Sequence, residues 1–144
     1  MRYPALFLPH PCYVSFAGSC HLALMARYQE LKVWQLAHQL AREVRAIVRR
    51  FPAEERFELA SQLRRAVLSV PTNIVEGSGL RGPRGFLRHI RIAIGSLREV
   101  TYLLLYAKDD GYITESKYRD LEDQTRHVRI LLHRLAKALE RATQ

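Results

Sequence analysis

The chain has 144 residues, 48% of them hydrophobic, and 23 Lys and Arg against 14 Asp and Glu leave a formal net charge of +9. That length suits one domain with one real core. No run of about 18 apolar residues is present to cross a membrane, and the wealth of Leu, Ile and Val excludes a wholly disordered chain. Two cysteines, Cys12 and Cys20, make neither a disulfide scaffold nor a four-ligand zinc site. The basic excess implies attraction for polyanions.

Residues 1–27 read as an irregular extension, disordered or non-native, ahead of a domain over 28–144. Pro4, Pro9 and Pro11 break the apolar stretch that a signal peptide needs, and Arg2 is the one basic residue before Met25. An internal start at Met25 and a cytoplasmic location are the expectation. Regular patterning then begins. From Glu30 to about Arg50, Val33, Ala37, Leu40, Val44, Ile47 and Phe51 recur every three or four residues, the spacing of one buried helix face. Phe51-Pro52 ends that helix, because the residue before proline resists the α conformation. A second helix is predicted from near Ala53, with Glu54 and Glu55 in its first turn. Leu59, Leu63, Ala66, Val70 and Ile74 form its stripe, and a kink is expected at Pro71. Gly77-Ser78-Gly79 stops it.

The third helix is predicted from Pro83, which suits a first turn, to Asp110-Gly111, with Phe86, Ile90, Ala93, Leu97, Val100 and Leu104 inside. Thr114 reads as the N-cap of the fourth, although Lys117 stands where a capping box wants Glu. Leu121, Val128, Leu132, Leu135 and Leu139 carry that helix to the C-terminus. No segment alternates with a period of two. The fold class is all-α: an antiparallel, up-down-up-down four-helix bundle with the second helix kinked at Pro71.

Helix positions 100° apart place Arg84, Arg88, Arg91 and Arg98 opposite the apolar stripe of the third helix, with Tyr102 and Tyr106 continuing the strip. Arg42, Arg45 and Arg49 lie opposite the stripe of the first. Arg119, Arg126, Arg134, Lys137 and Arg141 of the fourth also face out, diluted by Asp120, Glu122, Asp123 and Glu140. Solvated faces ordinarily mix signs, whereas the centre line from Arg84 to Arg98 holds no acid. Arginine also suits phosphate forks and base stacking. These two rows are therefore the candidate nucleic-acid contacts, giving salt-dependent affinity without sequence choice; an acidic protein surface would be met by the same face. Trp34, Leu87, Ile94 and Leu105 lie beside the stripes. They widen the apolar arc beyond what one bundle is expected to bury, so they are the candidate oligomer interface.

Other patterns carry less. Gly77-Ser78-Gly79-Leu80-Arg81-Gly82 matches G-x-G-x-x-G but follows a helix, not a strand. A phosphate seat on backbone amides near Arg81 and Arg84 is the remaining possibility there. His38, His89, His127 and His133 lack metal-ligand spacing, so no metal and no cofactor are expected. Glu76 and Glu99 allow an acid–base pair on paper, but a buried polar network with Gln62, Asn73 and Ser96 is the plainer expectation. No catalytic constellation is present, and the chain is not read as an enzyme.

Phe51-Pro52-x-x-Glu55-Arg56-Phe57-x-Leu59, followed by Gln62-Leu63-Arg64-Arg65-Ala66, resembles the second-helix opening of a family of small four helix bundle proteins. Ser69-Val70-Pro71-Thr72-Asn73-Ile74-Val75-Glu76-Gly77 resembles its most distinctive stretch, and Ile92-Ala93-Ile94-Gly95-Ser96-Leu97-Arg98-Glu99 its third-helix motif. The likeness covers about residues 28–140. The family includes proteins encoded in intervening sequences of 23S rRNA genes, and the accessory variability determinant (Avd) of diversity-generating retroelements. The resemblance implies a bundle, a homo-oligomer that is pentameric in the Avd branch, and a non-enzymatic role. It also implies nucleic-acid binding and a reverse transcriptase as partner. Gly82-Pro83-Arg84-Gly85 and Ile94 depart from polar or basic positions of relatives. The functional expectation is thus a self-associating basic bundle that binds RNA or DNA; the alternative is an assembly scaffold with no nucleic-acid role.

Overall fold

A computed structural model describes residues 28–144, and the extension expected over 1–27 lies outside the described residues. Four α-helices form where the three-and-four spacing of apolar residues predicts them: α1 (Lys32–Val48), α2 (Leu59–Ser78), α3 (Pro83–Asp109) and α4 (Glu115–Arg141). There is no strand among the described residues. Helix α2 packs on α3, α3 on α4, and α1 against both α2 and α4, whereas α1 and α3 make no close backbone approach. The helices therefore stand at four corners with α1 and α3 on a diagonal. Asn73 meets His89 and Ser69 meets Ser96, while Arg91 meets Glu140 and Lys108 meets Glu115. In each case the contacts run in opposite order along the two helices.

The stripes read from the sequence form the core. Leu40, Leu63, Ile74, Ile90, Leu104, Leu121 and Leu132 are fully buried, each contributing about 1.5–3 kcal/mol of transfer free energy. Ile47, Phe51 and Leu135 sit partly buried at its edge.

Two boundaries differ from expectation. The first helix begins at Lys32, after a separate 3-10 turn over Tyr28–Glu30, and ends at Val48. The second begins at Leu59 rather than near Ala53, because Ala53–Arg56 forms its own 3-10 turn. Glu55 explains that break. Its Oε2 accepts the Leu59 backbone N–H at 3.2 Å, acting as a cap from outside, and its Oε1 accepts the Tyr112 hydroxyl at 3.0 Å. That hydrogen bond holds the Tyr112 hydroxyl above its usual pKa. It also joins the α1–α2 and α3–α4 links at one end of the bundle, where the Phe51 and Tyr112 rings lie 5.3 Å apart.

Helix α2 continues through the buried Pro71 without a break. Near it, the Thr72 hydroxyl donates to the Leu68 carbonyl at 2.8 Å and the Asn73 amide to the Ser69 carbonyl at 2.9 Å. Helix α3 ends as the sequence requires, with Gly111 at φ 76°, a backbone conformation that glycine adopts without penalty. Thr114 caps α4 by accepting the Lys117 N–H at 3.2 Å.

Glu43 is the one acid within residues 31–50, and it faces α4 instead of the α1 arginines. Its Oε2 accepts from Gln124 at 2.9 Å and lies 3.4 Å from the Lys117 ammonium, while Oε1 accepts from Gln39 at 3.3 Å. The Gln124 hydrogen bond is the main cause that lowers its pKa; partial burial opposes it.

Two outcomes are expected from denaturant titrations. Glu43→Gln should cost about 1 kcal/mol near neutral pH, given that the group is partly exposed. A carboxyl with a lowered folded-state pKa stabilises above its ordinary value of 4.5 and loses that contribution as the pH falls, so wild type and variant should converge in acid. A Cβ on Gly77 would sit 2.5 Å from Phe86 Cδ2 and 2.8 Å from His89 Cβ, whereas one on Gly95 would meet nothing within 4 Å. Gly77→Ala should therefore destabilise by about 1–3 kcal/mol, and Gly95→Ala should stabilise by about 0.5–1 kcal/mol.

Candidate nucleic-acid interface

Pro83 opens α3, and the rotation of that helix against α2 decides which side chains reach water. With Phe86, Ile90, Ala93 and Leu97 buried, Arg84, Arg88, Arg91 and Arg98 are all exposed. The row is not free of acid. Arg91 Nη2 bonds Glu140 Oε1 at 3.0 Å, a carboxylate supplied by α4 that a reading of α3 alone does not see. Glu99 is also exposed, beside Arg98. Arg84, Arg88 and Arg98 form no ion pair among the described residues.

Arg42 and Arg45 on α1 and Arg49 at its C-cap are exposed; α1 is the helix diagonal to α3, so the two rows do not merge into one strip within a single chain. The neighbour that does extend the α3 row is α4. Arg98 and Arg129 line one cleft between these helices, and Arg119, Arg126 and Arg129 line a second, polar groove together with Glu122 and Asp123. Arg119 is paired with Glu115 at 2.9 Å and Arg126 with Asp123. Arg129 has no ion pair among the described residues. It is the residue that sequence reading missed; its placement a quarter turn from the α4 stripe, on the side of Tyr118 and Thr125, was the available signal.

The supposed apolar surplus is largely absorbed by the chain itself. Leu87 is only 7% exposed within the chain, so it offers little surface to a second copy. Trp34 and Ile94 are partly buried against the core, with Trp34 stacked on His38 at 4.9 Å and edge-on to Tyr28 at 5.0 Å. Leu105 stays exposed, together with Ile92, Tyr102 and Tyr106 on α3.

Residues 29–134 match the family described as 23S rRNA-intervening sequence protein. The chain belongs to that family. A solved relative has the same fold: a protein of unknown function from the S23 ribosomal protein family of Bacteroides thetaiotaomicron superposes with a TM-score of 0.68 at 22% identity. The match covers 73% of this chain and 95% of that one. No curated protein matches the chain.

In this chain the distinctive stretch around Pro71 builds a polar seam between α2 and α3. Ser69 Oγ and Ser96 Oγ lie 2.8 Å apart, Asn73 Nδ2 donates to Ser69 Oγ at 3.1 Å, and His89 Nδ1 donates to Asn73 Oδ1 at 3.1 Å. Glu76 Oε2 is 3.4 Å from the same imidazole nitrogen. Asn73 and Ser96 thus join a network as expected, but Gln62 and Glu99 stay exposed outside it, and Ser69 and His89 take their places. Glu76 and Glu99 share no hydrogen bond.

The first part of the glycine run closes α2. Gly77 and Ser78 are the last residues of α2, the Gly79 N–H returns to the carbonyls of Val75 and Glu76, and the Leu80 N–H to that of Gly77, each at 3.2 Å. Those amides are already satisfied. Gly77 serves close packing instead, against Phe86 and His89. No helix among the described residues is long and apolar enough to cross a membrane.

The Arg91–Glu140 pair is well exposed on both sides. Glu140→Gln should therefore change unfolding free energy by less than about 0.5 kcal/mol in a urea titration.

Proposed function

We propose that this member of the family is a non-catalytic nucleic-acid-binding bundle whose contact face spans α3 and α4. One observation carries the reading: on these adjacent helices Arg84, Arg88, Arg98 and Arg129 are exposed without an ion-pair partner among the described residues, whereas the nearby Glu140 and Asp123 are engaged by Arg91 and Arg126. Guanidinium groups held this way contact phosphates, release counterions and give affinity without base choice. The formal charge of +9 supplies long-range attraction. Arg42, Arg45 and Arg49, on the diagonal helix, would meet a second segment of nucleic acid or the face of another copy. A reverse-transcriptase complex, implied by the family resemblance, would place its nucleic acid on the same α3–α4 face.

A second reading, assembly with further copies of the chain, draws on the exposed Ile92, Leu105 and Tyr106 of α3 and on the open space over Gly95. Sedimentation across a concentration series tests it, and a species that stays monomeric removes it.

Binding of a labelled oligonucleotide at several salt concentrations tests the first. Arg88→Ala with Arg98→Ala should weaken binding at least tenfold and flatten the log–log salt slope by about 1.4–2. Arg45→Ala with Arg49→Ala should cost clearly less. Equal losses from the two pairs would count against a face confined to α3 and α4.

A further inference from the structure

The cleft between α3 and α4 carries features that contact with phosphates alone does not require. It is lined by the apolar Ile94, Leu97 and Leu105, by Tyr102 and Tyr118, and by Thr101, Arg98 and Arg129. Its volume is about 240 Å³, below the roughly 300–1,000 Å³ of sites that enclose a whole small ligand. The size fits one planar group.

The two tyrosines differ in burial. Tyr118 is packed on the core, with the Lys108 ammonium 5.3 Å from its ring centre and its hydroxyl 3.5 Å from Glu122 Oε1. Burial raises its pKa, so the phenol stays neutral. Tyr102 is 62% exposed, its nearest aromatic neighbour being the Tyr106 ring at 6.5 Å. The Thr101 hydroxyl donates to the Leu97 carbonyl at 3.0 Å, which leaves its oxygen free to accept a hydrogen bond.

We propose that this cleft receives one unstacked base of single-stranded RNA, with Arg98 and Arg129 on the flanking phosphates and Thr101 Oγ1 accepting from the ribose 2′-hydroxyl. The proposal rests on the nucleic-acid reading above and names its substrate class. Charge decides the occupant: an apolar slot bordered by two guanidinium groups without carboxylate partners suits a base set between phosphates. It does not suit the side of a neutral apolar helix. A duplex keeps its bases stacked and offers none to such a slot, and a deoxy strand lacks the 2′-hydroxyl donor.

The test uses the full chain and fluorescence anisotropy with three labelled 12-mers: single-stranded RNA of mixed sequence, the same RNA as a duplex, and the single-stranded DNA. Wild type should bind the RNA strand tightest. Tyr102→Ala should weaken that binding about 5- to 150-fold, the range for losing one stacked base, with the salt slope and duplex binding unchanged. Tyr102→Phe should restore it, and Thr101→Val should erase the preference for RNA over DNA. Circular dichroism melting of each variant verifies the fold, and the exposure of Tyr102 makes its loss structurally mild. Equal binding of strand and duplex with no effect of Tyr102→Ala overturns the base cleft, while sensitivity to Arg88→Ala with Arg98→Ala would leave the basic face standing. Equal binding of RNA and DNA that still depends on Tyr102 overturns the assignment to RNA. Absence of binding to all three probes at low salt overturns the basic-face reading itself.

Discussion

The contact between α2 and α3 sets the geometry on which every other feature depends. Gly77 lets the two helices approach until Phe86 and His89 occupy the space a side chain would need. Beside this close approach, Ser69, Asn73, His89 and Ser96 complete one another's hydrogen bonds. A partly buried polar chain of this kind is satisfied at one register and one rotation, and any slip leaves donors and acceptors unpaired in a poorly solvated place. The apolar stripe of α3 alone tolerates some rotation; the seam does not.

That rotation turns Phe86, Ile90 and Leu97 inward and consequently sends Arg84, Arg88 and Arg98 to water. The charges on the remaining corners follow a similar economy. Glu43 ties α1 to α4 through Gln124 and Lys117, Glu140 ties α4 to α3 through Arg91, and Glu55 ties the two links at one end through Tyr112. Glu43 and Glu55, used as ties inside the bundle, are not available to neutralise the outer arginines, whereas Glu140 is spent on one of them, Arg91. The basic surface is thus a consequence of how the bundle is held together as well as of composition.

The two sides of α3 also divide its chemistry. Toward α2 it carries Phe86, His89 and Ser96, which meet Gly77, Asn73 and Ser69 of that helix, and toward α4 it carries apolar residues buried to different depths. Leu87 is buried, Ile94 half-buried and Leu105 still exposed. The covering thins toward the C-terminal half of α3, and there the cleft bordered by Arg98 and Arg129 opens.

Helix number, the buried stripes, the Gly111 stop and the Thr114 cap were legible in the sequence, because each depends on residues within a few positions of one another and on backbone chemistry that acts locally. The exposure of Arg84, Arg88, Arg91 and Arg98 was legible for the same reason. What periodicity cannot carry is which helix stands beside which. Only tertiary packing set α1 diagonal to α3, drew Glu140 onto Arg91, buried Leu87, brought Arg129 beside Arg98 and split Ala53–Arg56 from the second helix. These features arise from side chains distant along the chain competing for the same space and the same hydrogen bonds, and that competition has an outcome only once the helices meet.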